Sequence, residues 1–334
     1  MTTLLETRYR AVLRLLPTYY RREREEEMVE TYLWDVDQET QDQSRPTLGE
    51  VASIVALAVR SRLGAPAAPR RYAVLGSAVR LFALFAVLLQ AASAVVDRVL
   101  GLTWASTRGG RQWDIFMDGF TGHGVWAGAV GVAQWFLPLL WTVAYFALLR
   151  DHRRLAQASA LVAAVPTLLP LVDLWALDFA PSDSAYAVAA AVLAWSSALA
   201  LCAAHHRDAP PAALPAGTPG LVFAACSVLM GGSVVALPGG VDTVWALVTC
   251  YLVTALAWLS YRVRGERCVP AGEAAALAAL GLLLLAVRIT AVYPWLDVLP
   301  GALRVGVLTQ AAALVALTAA LAVVSGRDLL SRGT

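Results

Sequence analysis

The histidines are the first residues to test for chemistry: His123, His152, His205 and His206. None has a carboxylate at metal-binding spacing. Helix-borne metal catalysis needs donors on one face, as in H-E-x-x-H, and phosphate transfer needs G-x-x-x-x-G-K. Neither pattern occurs, nor does a G-x-S-x-G nucleophile elbow. Asp173 and Asp178 stand five apart, which is not a specific paired-carboxylate spacing. Cys202, Cys226, Cys250 and Cys268 lie far apart with no C-x-x-C pair, and three of them sit in apolar runs as small hydrophobes. The expectation is a chain with no catalytic residue, no metal and no cofactor.

What remains is a handful of ionisable groups set in apolar sequence. Asp173 and Arg288 fall inside long hydrophobic stretches, where a lone charge is costly and marks a site by default. They are expected at matching depth near the ends of their segments. A pair between them would offset part of the desolvation each would bear alone. Arg80 is nearer a segment end, where its stem can snorkel. A second group lies in a polar stretch. There Trp113, Phe116, Met117 and Phe120 recur at helical spacing, while Asp114 and Asp118 share another face and His123 follows. This predicts a short amphipathic interfacial helix, with Trp113, Asp114, Phe116, Asp118 and His123 as a possible outer cap over a ligand.

These groups need a scaffold, and composition defines it. AVILMFWYC residues make up 59% of the 334 residues, charged residues 15%, and the net charge is +2; mean hydropathy is +0.63. Soluble chains are about 45–50% apolar and about 25% charged. A soluble protein, a disordered chain, a disulfide scaffold and a nucleic-acid-binding domain are thereby disfavoured. All 26 basic residues are arginine.

A bilayer core about 30 Å thick needs about 20 helical residues per crossing. Eight stretches qualify: 74–96, 125–149, 155–177, 185–204, 219–237, 244–261, 273–294 and 303–325. No ten-residue alternation suggests a β-barrel. The predicted class is all-α: a polytopic membrane protein with about eight transmembrane helices. Its domains are a helical module at 1–64, a linker at 65–73, a membrane domain at 74–326 and a tail at 327–334. Pro166 and Pro170 should bend the third span, and Gly124, Gly128 and Gly131 offer a small-residue packing face. Gln90, Gln134, Gln157 and Gln310 are candidates for interhelical hydrogen bonds.

Twenty of the 26 arginines fall on one side if the 1–64 module is cytoplasmic. The positive-inside rule therefore predicts a multi-pass protein of the inner (plasma) membrane with both termini in the cytoplasm. The bilayer is the first partner implied; the oligomeric state is left open.

Residues 1–64 lack the basic start, apolar core and cleavage site of a secretory signal. Three helical periods appear instead. Leu5, Tyr9, Val12, Leu13 and Leu16 form one stripe, ended by Pro17. Met28, Val29, Tyr32, Leu33 and Val36 form a second, followed by a polar loop at 41–44. Thr47 and Glu50 have capping-box spacing ahead of Val51, Ile54, Val55, Leu57, Ala58 and Leu63, with Gly64 as the C-cap. The charges Arg21, Arg22, Glu23, Glu26 and Glu27 make a bipolar surface able to dock a partner.

The run Tyr9-Arg10-Ala11-Val12-Leu13-Arg14-Leu15-Leu16-Pro17, with Tyr20-Arg21-Arg22-Glu23 and Glu26-Glu27-Met28, resembles the HAAS (permease prefix) α-helical signalling domain family over residues 4–63. That resemblance implies a cytoplasmic helical module ahead of membrane spans. It also implies partnership with PadR-like winged-helix transcription regulators or with a transporter subunit. Two functions follow as expectations. One is a membrane signalling or regulatory protein whose module docks a partner. The other is a permease or efflux component for a small apolar or cationic molecule.

Overall fold

The structure is a computed structural model. It describes the whole chain apart from residues 1–3, 35–44, 65–67, 122–123, 177–180, 207–208, 213, 215–217, 237–242, 265–271 and 331–334. The polar loop at 41–44, Val36, His123 and Cys268 therefore lie outside the described residues. Among those described the fold is all-α, and eight helical segments are long and apolar enough to cross a membrane. The protein is a multi-pass helical membrane protein.

By its internal contacts the chain divides into two units, Met1–Val79 and Arg80–Thr334. The first holds α1 (Leu4–Leu13), α2 (Thr18–Trp34) and α3 (Leu48–Arg62), together with the first turns of α4 (Arg70–Arg108). Leu5, Tyr9, Leu13 and Leu16 are buried as their spacing requires, against Val29, Ile54 and Ala58. Val55 is exposed rather than on the buried face. The Tyr9 and Tyr32 rings stack with centroids 4.0 Å apart. The capping box forms: Glu50 N–H donates to Thr47 Oγ1, and Thr47 N–H donates to Glu50 Oε2 at 2.7 Å. Gly64 adopts φ +91°, the left-handed geometry expected of the C-cap.

The module is larger than the 1–64 boundary. Tyr19 packs on Tyr72, and its hydroxyl donates to the Ser61 carbonyl at 2.7 Å. Gly76 lets the Leu63 main chain approach so closely that any Cβ there would strike its carbonyl. The span-one helix accordingly starts at Arg70, inside the proposed linker.

In the second unit, α4 is the central helix. One of its faces, with Ala83, Leu84, Val87, Leu88 and Ala91, packs on α7 (Leu140–Leu149), α8 (Arg153–Ala164) and α10 (Pro181–Ala204). The opposite face, with Phe82, Ala86, Leu89, Ala92 and Val96, joins α11 (Pro219–Ala236), α12 (Thr243–Val263), α13 (Glu273–Val292) and α14 (Gly301–Leu330). The closest main-chain approaches in this unit are instead between α13 and α14, α7 and α8, and α10 and α13.

Two spans are broken by 3-10 turns. Leu137–Leu139, with Pro138, separates α6 (Gly124–Phe136) from α7; Val165–Leu168, with Pro166, separates α8 from α9 (Leu169–Ala176). At Pro166, where a bend is expected, the helix is interrupted by a 3-10 turn.

The stretch following span one is helical through most of its length. α4 runs on to Arg108 because no proline interrupts it, and it stops at Gly109 and Gly110, both at positive φ. α5 (Gly110–Thr121) then turns back on α6. Gly131 lies against the Gly119 carbonyl, and a Cβ at Gly128 would sit 2.6 Å from the Phe120 oxygen.

Candidate functional site

Gln90, Ser93, Ala94 and Asp97 recur at i, i+3, i+4 and i+7 on α4. They form a stripe between its two packed faces. That stripe lines a cavity of about 170 Å³ inside the second unit. Arg98 borders it as well, and the remaining walls come from Pro138, Trp141, Ala163, Thr167, the Tyr186–Ala194 face of α10, Val244, Leu247 and Val287. Both 3-10 breaks therefore border one space. A proline cannot donate a main-chain hydrogen bond and displaces the carbonyl one turn back. Beside that turn Thr167 Oγ1 donates to Ala164 O at 2.7 Å.

Asp97 is the one acid on this wall. The Ser93 hydroxyl lies 3.5 Å from its Oδ2, and Arg98 Nη1 lies 3.8 Å from the same oxygen. The Arg98 guanidinium is engaged elsewhere. Its Nε donates to the Trp135 carbonyl at 2.9 Å and its Nη2 to the Gln134 carbonyl at 2.8 Å, with the group 5.7 Å from the Trp135 ring centroid. Asp97 thus keeps acceptor capacity toward the cavity, which the Gln90 amide borders two turns away. The arrangement can bind a small polar or positively charged group; it shows no nucleophile–base pair.

The expected sites fall as follows. Arg288 is buried at 1% exposure, with its guanidinium 5.5 Å from the Trp245 ring centroid. Asp173 is on α9, but its side chain lies outside the described residues. Gln310 donates to the Trp245 carbonyl at 3.1 Å and to Thr249 Oγ1 at 2.8 Å, joining α14 to α12. Gln157 donates to the His205 carbonyl, and Gln134 is exposed.

The cap residues separate by face. Trp113, Phe116 and Phe120 cluster, and Phe116 and Phe120 both meet Trp135 edge-on at 5.1 and 5.8 Å. This apolar face is turned to α6 rather than wholly to lipid, because the glycines there permit a tight hairpin. Asp114 and Asp118 are exposed and away from the cavity wall.

In the first unit, Glu26 of the docking surface is already engaged. Arg10 grips it with two 2.8 Å bonds and also holds Glu6 at 3.0 Å. Arg21 approaches Glu25 at 4.0 Å, and Arg24 approaches Glu27 at 3.5 Å. Arg22 and Glu23 are exposed. Beside them a groove of about 770 Å³ is lined by Tyr20, Arg24, Glu27, Met28, Thr31 and Trp34, among others.

Cys226 and Cys250, far apart in sequence, lie on α11 and α12, and both are free thiols. Among the described residues no group of three or more His, Cys, Asp or Glu could hold a metal.

Sequence reasoning ended the first span at residue 96 and so stopped one residue short of Asp97. The available signal was the helical spacing that continues Gln90 and Ser93 past the apolar stretch. Compared with known proteins, the chain matches no family model, no curated protein and no solved structure.

Proposed function

We propose that this chain is a membrane signalling or regulatory protein of the inner (plasma) membrane. In this reading its N-terminal helical module faces the cytoplasm and docks a partner, and its membrane domain receives the signal. The observation that carries it is a division of labour. Met1–Val79 is a compact unit with its own core and an open groove. The second unit holds a polar cavity of about 170 Å³, little over half the lower end of small-molecule sites at about 300 Å³. A cavity of that size suits recognition. α4 carries residues of both: Tyr72 and Gly76 in the module, Asp97 in the cavity.

The resemblance to the HAAS prefix adds a PadR-like regulator as the partner class. Arg22, Glu23 and Glu27 are its candidate contacts, with Arg21 and Glu26 bracing the surface. The permease reading keeps one supporting feature, the interrupted third span whose Thr167 borders the cavity.

The test is co-purification of the full-length protein from its native membranes, as wild type and as the Arg22→Glu/Glu27→Arg double variant. Transcripts would be compared in cells with and without the chain. A winged-helix regulator held by the wild type and lost from the variant, with altered transcripts, supports the reading. Small-cation flux in proteoliposomes, with unchanged transcripts, would replace it by the permease.

A further inference from the structure

From the cavity at Asp97 we infer a binding site for a small organic monocation of the alkylammonium class. This goes beyond the regulatory reading and does not depend on what the N-terminal module docks.

Size comes first. About 170 Å³ corresponds to roughly five or six waters at about 30 Å³ each, hence to a ligand of about that many heavy atoms. Charge follows from Asp97, the one acid on the wall among the described residues. Arg98 also borders the cavity, but its Nε and Nη2 are committed to the Trp135 and Gln134 carbonyls, and its Nη1 pairs with Asp97 at 3.8 Å, beyond hydrogen-bond reach. A carboxylate in apolar surroundings is stabilised by a cation brought beside it.

The lining selects among cations. Gln90, Ser93 and Thr167 can accept or donate hydrogen bonds, which suits an ammonium N–H. Trp141 and Tyr186 provide aromatic walls of the kind that attract alkylated cations. Arg98 apart, the rest is aliphatic, where an alkyl group loses nothing by leaving water. A bare metal ion needs about six close oxygens instead, and one acid with scattered hydroxyls does not supply them.

The test uses the full-length protein in detergent. Calorimetry and thermal unfolding would be recorded with methylammonium, trimethylammonium, tetrabutylammonium as an oversized cation, and acetate. The expected result is saturable binding of the two small ammonium ions, with a raised melting temperature, and none for the other two. Asp97→Asn should weaken that binding at least tenfold. Ala190→Leu fills the cavity from α10 while leaving the carboxylate, and should weaken it comparably. Should Asp97→Asn fail to fold, Ala190→Leu and the ligand size series decide the matter. No saturable binding by the wild type would overturn the inference, meaning that the cavity holds water only. Binding that survives in either folded variant, or that is equal for tetrabutylammonium, would overturn it as well. None of these measurements involves the N-terminal module, so this inference and the regulatory reading fail separately.

Discussion

Arg98 donates to the main-chain carbonyl of Trp135 at 2.9 Å and lies over the ring of the same residue, 5.7 Å from its centroid. That double hold commits Nε and the ring face, while Nη1 stands 3.8 Å from Asp97 Oδ2, an ion pair without a hydrogen bond. Trp135 in turn receives the edges of Phe116 and Phe120. The α5–α6 hairpin and the cavity wall are thus linked through one arginine.

Removing that link should be costly. Charge-assisted hydrogen bonds contribute about 1.5–3 kcal/mol each when buried, and Arg98 is only part-buried, so about 2 kcal/mol in total is expected for Arg98→Ala. The check is thermal unfolding of the full-length protein in detergent. Trp135→Phe should be milder, because it keeps the accepting carbonyl.

Gly281 on α13 faces the Tyr251 hydroxyl and the Thr318 side chain so closely that no Cβ fits without movement. The Tyr251 hydroxyl also donates to the Leu277 carbonyl at 2.8 Å. Gly281→Ala should destabilise the domain by about 1–3 kcal/mol through overpacking. Tyr251→Phe shortens the obstructing ring, so the double variant should be less destabilised than the two single effects summed. Additive losses in a double-mutant cycle would refute the proposed contact.

His205 lies outside the spans, in the turn after α10, and is 2% exposed. Burial pushes its pKa down to about 4, and the positive charges of Arg80 and Arg153 act the same way; a hydrogen bond to the Arg80 main chain opposes them. The unfolded value is about 6.5. The folded state therefore binds fewer protons, so this contribution is fully present above about pH 6.5. It is lost as pH falls through about 4, at roughly 1.4 kcal/mol per pH unit. His205→Gln should flatten the unfolding profile between those values; a wild-type profile already flat there would contradict the assignment.

In the first unit Glu50 serves two elements. It closes the capping box with Thr47 and accepts the Tyr32 hydroxyl at 3.2 Å. Burial, with the Glu50 charge adding to it, raises the Tyr32 pKa to about 12. Thr47→Ala removes only the cap, at about 1 kcal/mol, whereas Glu50→Ala also frees Tyr32 from α3. Hydrogen exchange in the full chain should show faster amides in the first turn of α3 for Thr47→Ala. For Glu50→Ala the loosening should extend to α2; an identical exchange pattern for the two would rule out the second role.

Much of the fold was legible before any coordinates. A span is a run of residues whose transfer into lipid is favourable, and that sum is local, so eight segments could be read from composition and length. The capping box at Thr47, the stripe through Leu5, Tyr9 and Leu13, and the interruption at Pro166 are local as well. Each depends on residues within a turn or two of one another.

The tertiary structure decided what those segments do together. Inside lipid every apolar face is equally welcome, so hydropathy cannot say which helix is central; the packing does, by burying two faces of α4 in separate clusters. Nor can it say that Pro138 and Thr167 border one space, or that Arg98 reaches carbonyls nearly forty residues on. Those outcomes arise from close packing between segments distant in the chain, and packing energy has no meaning until the partners are in place.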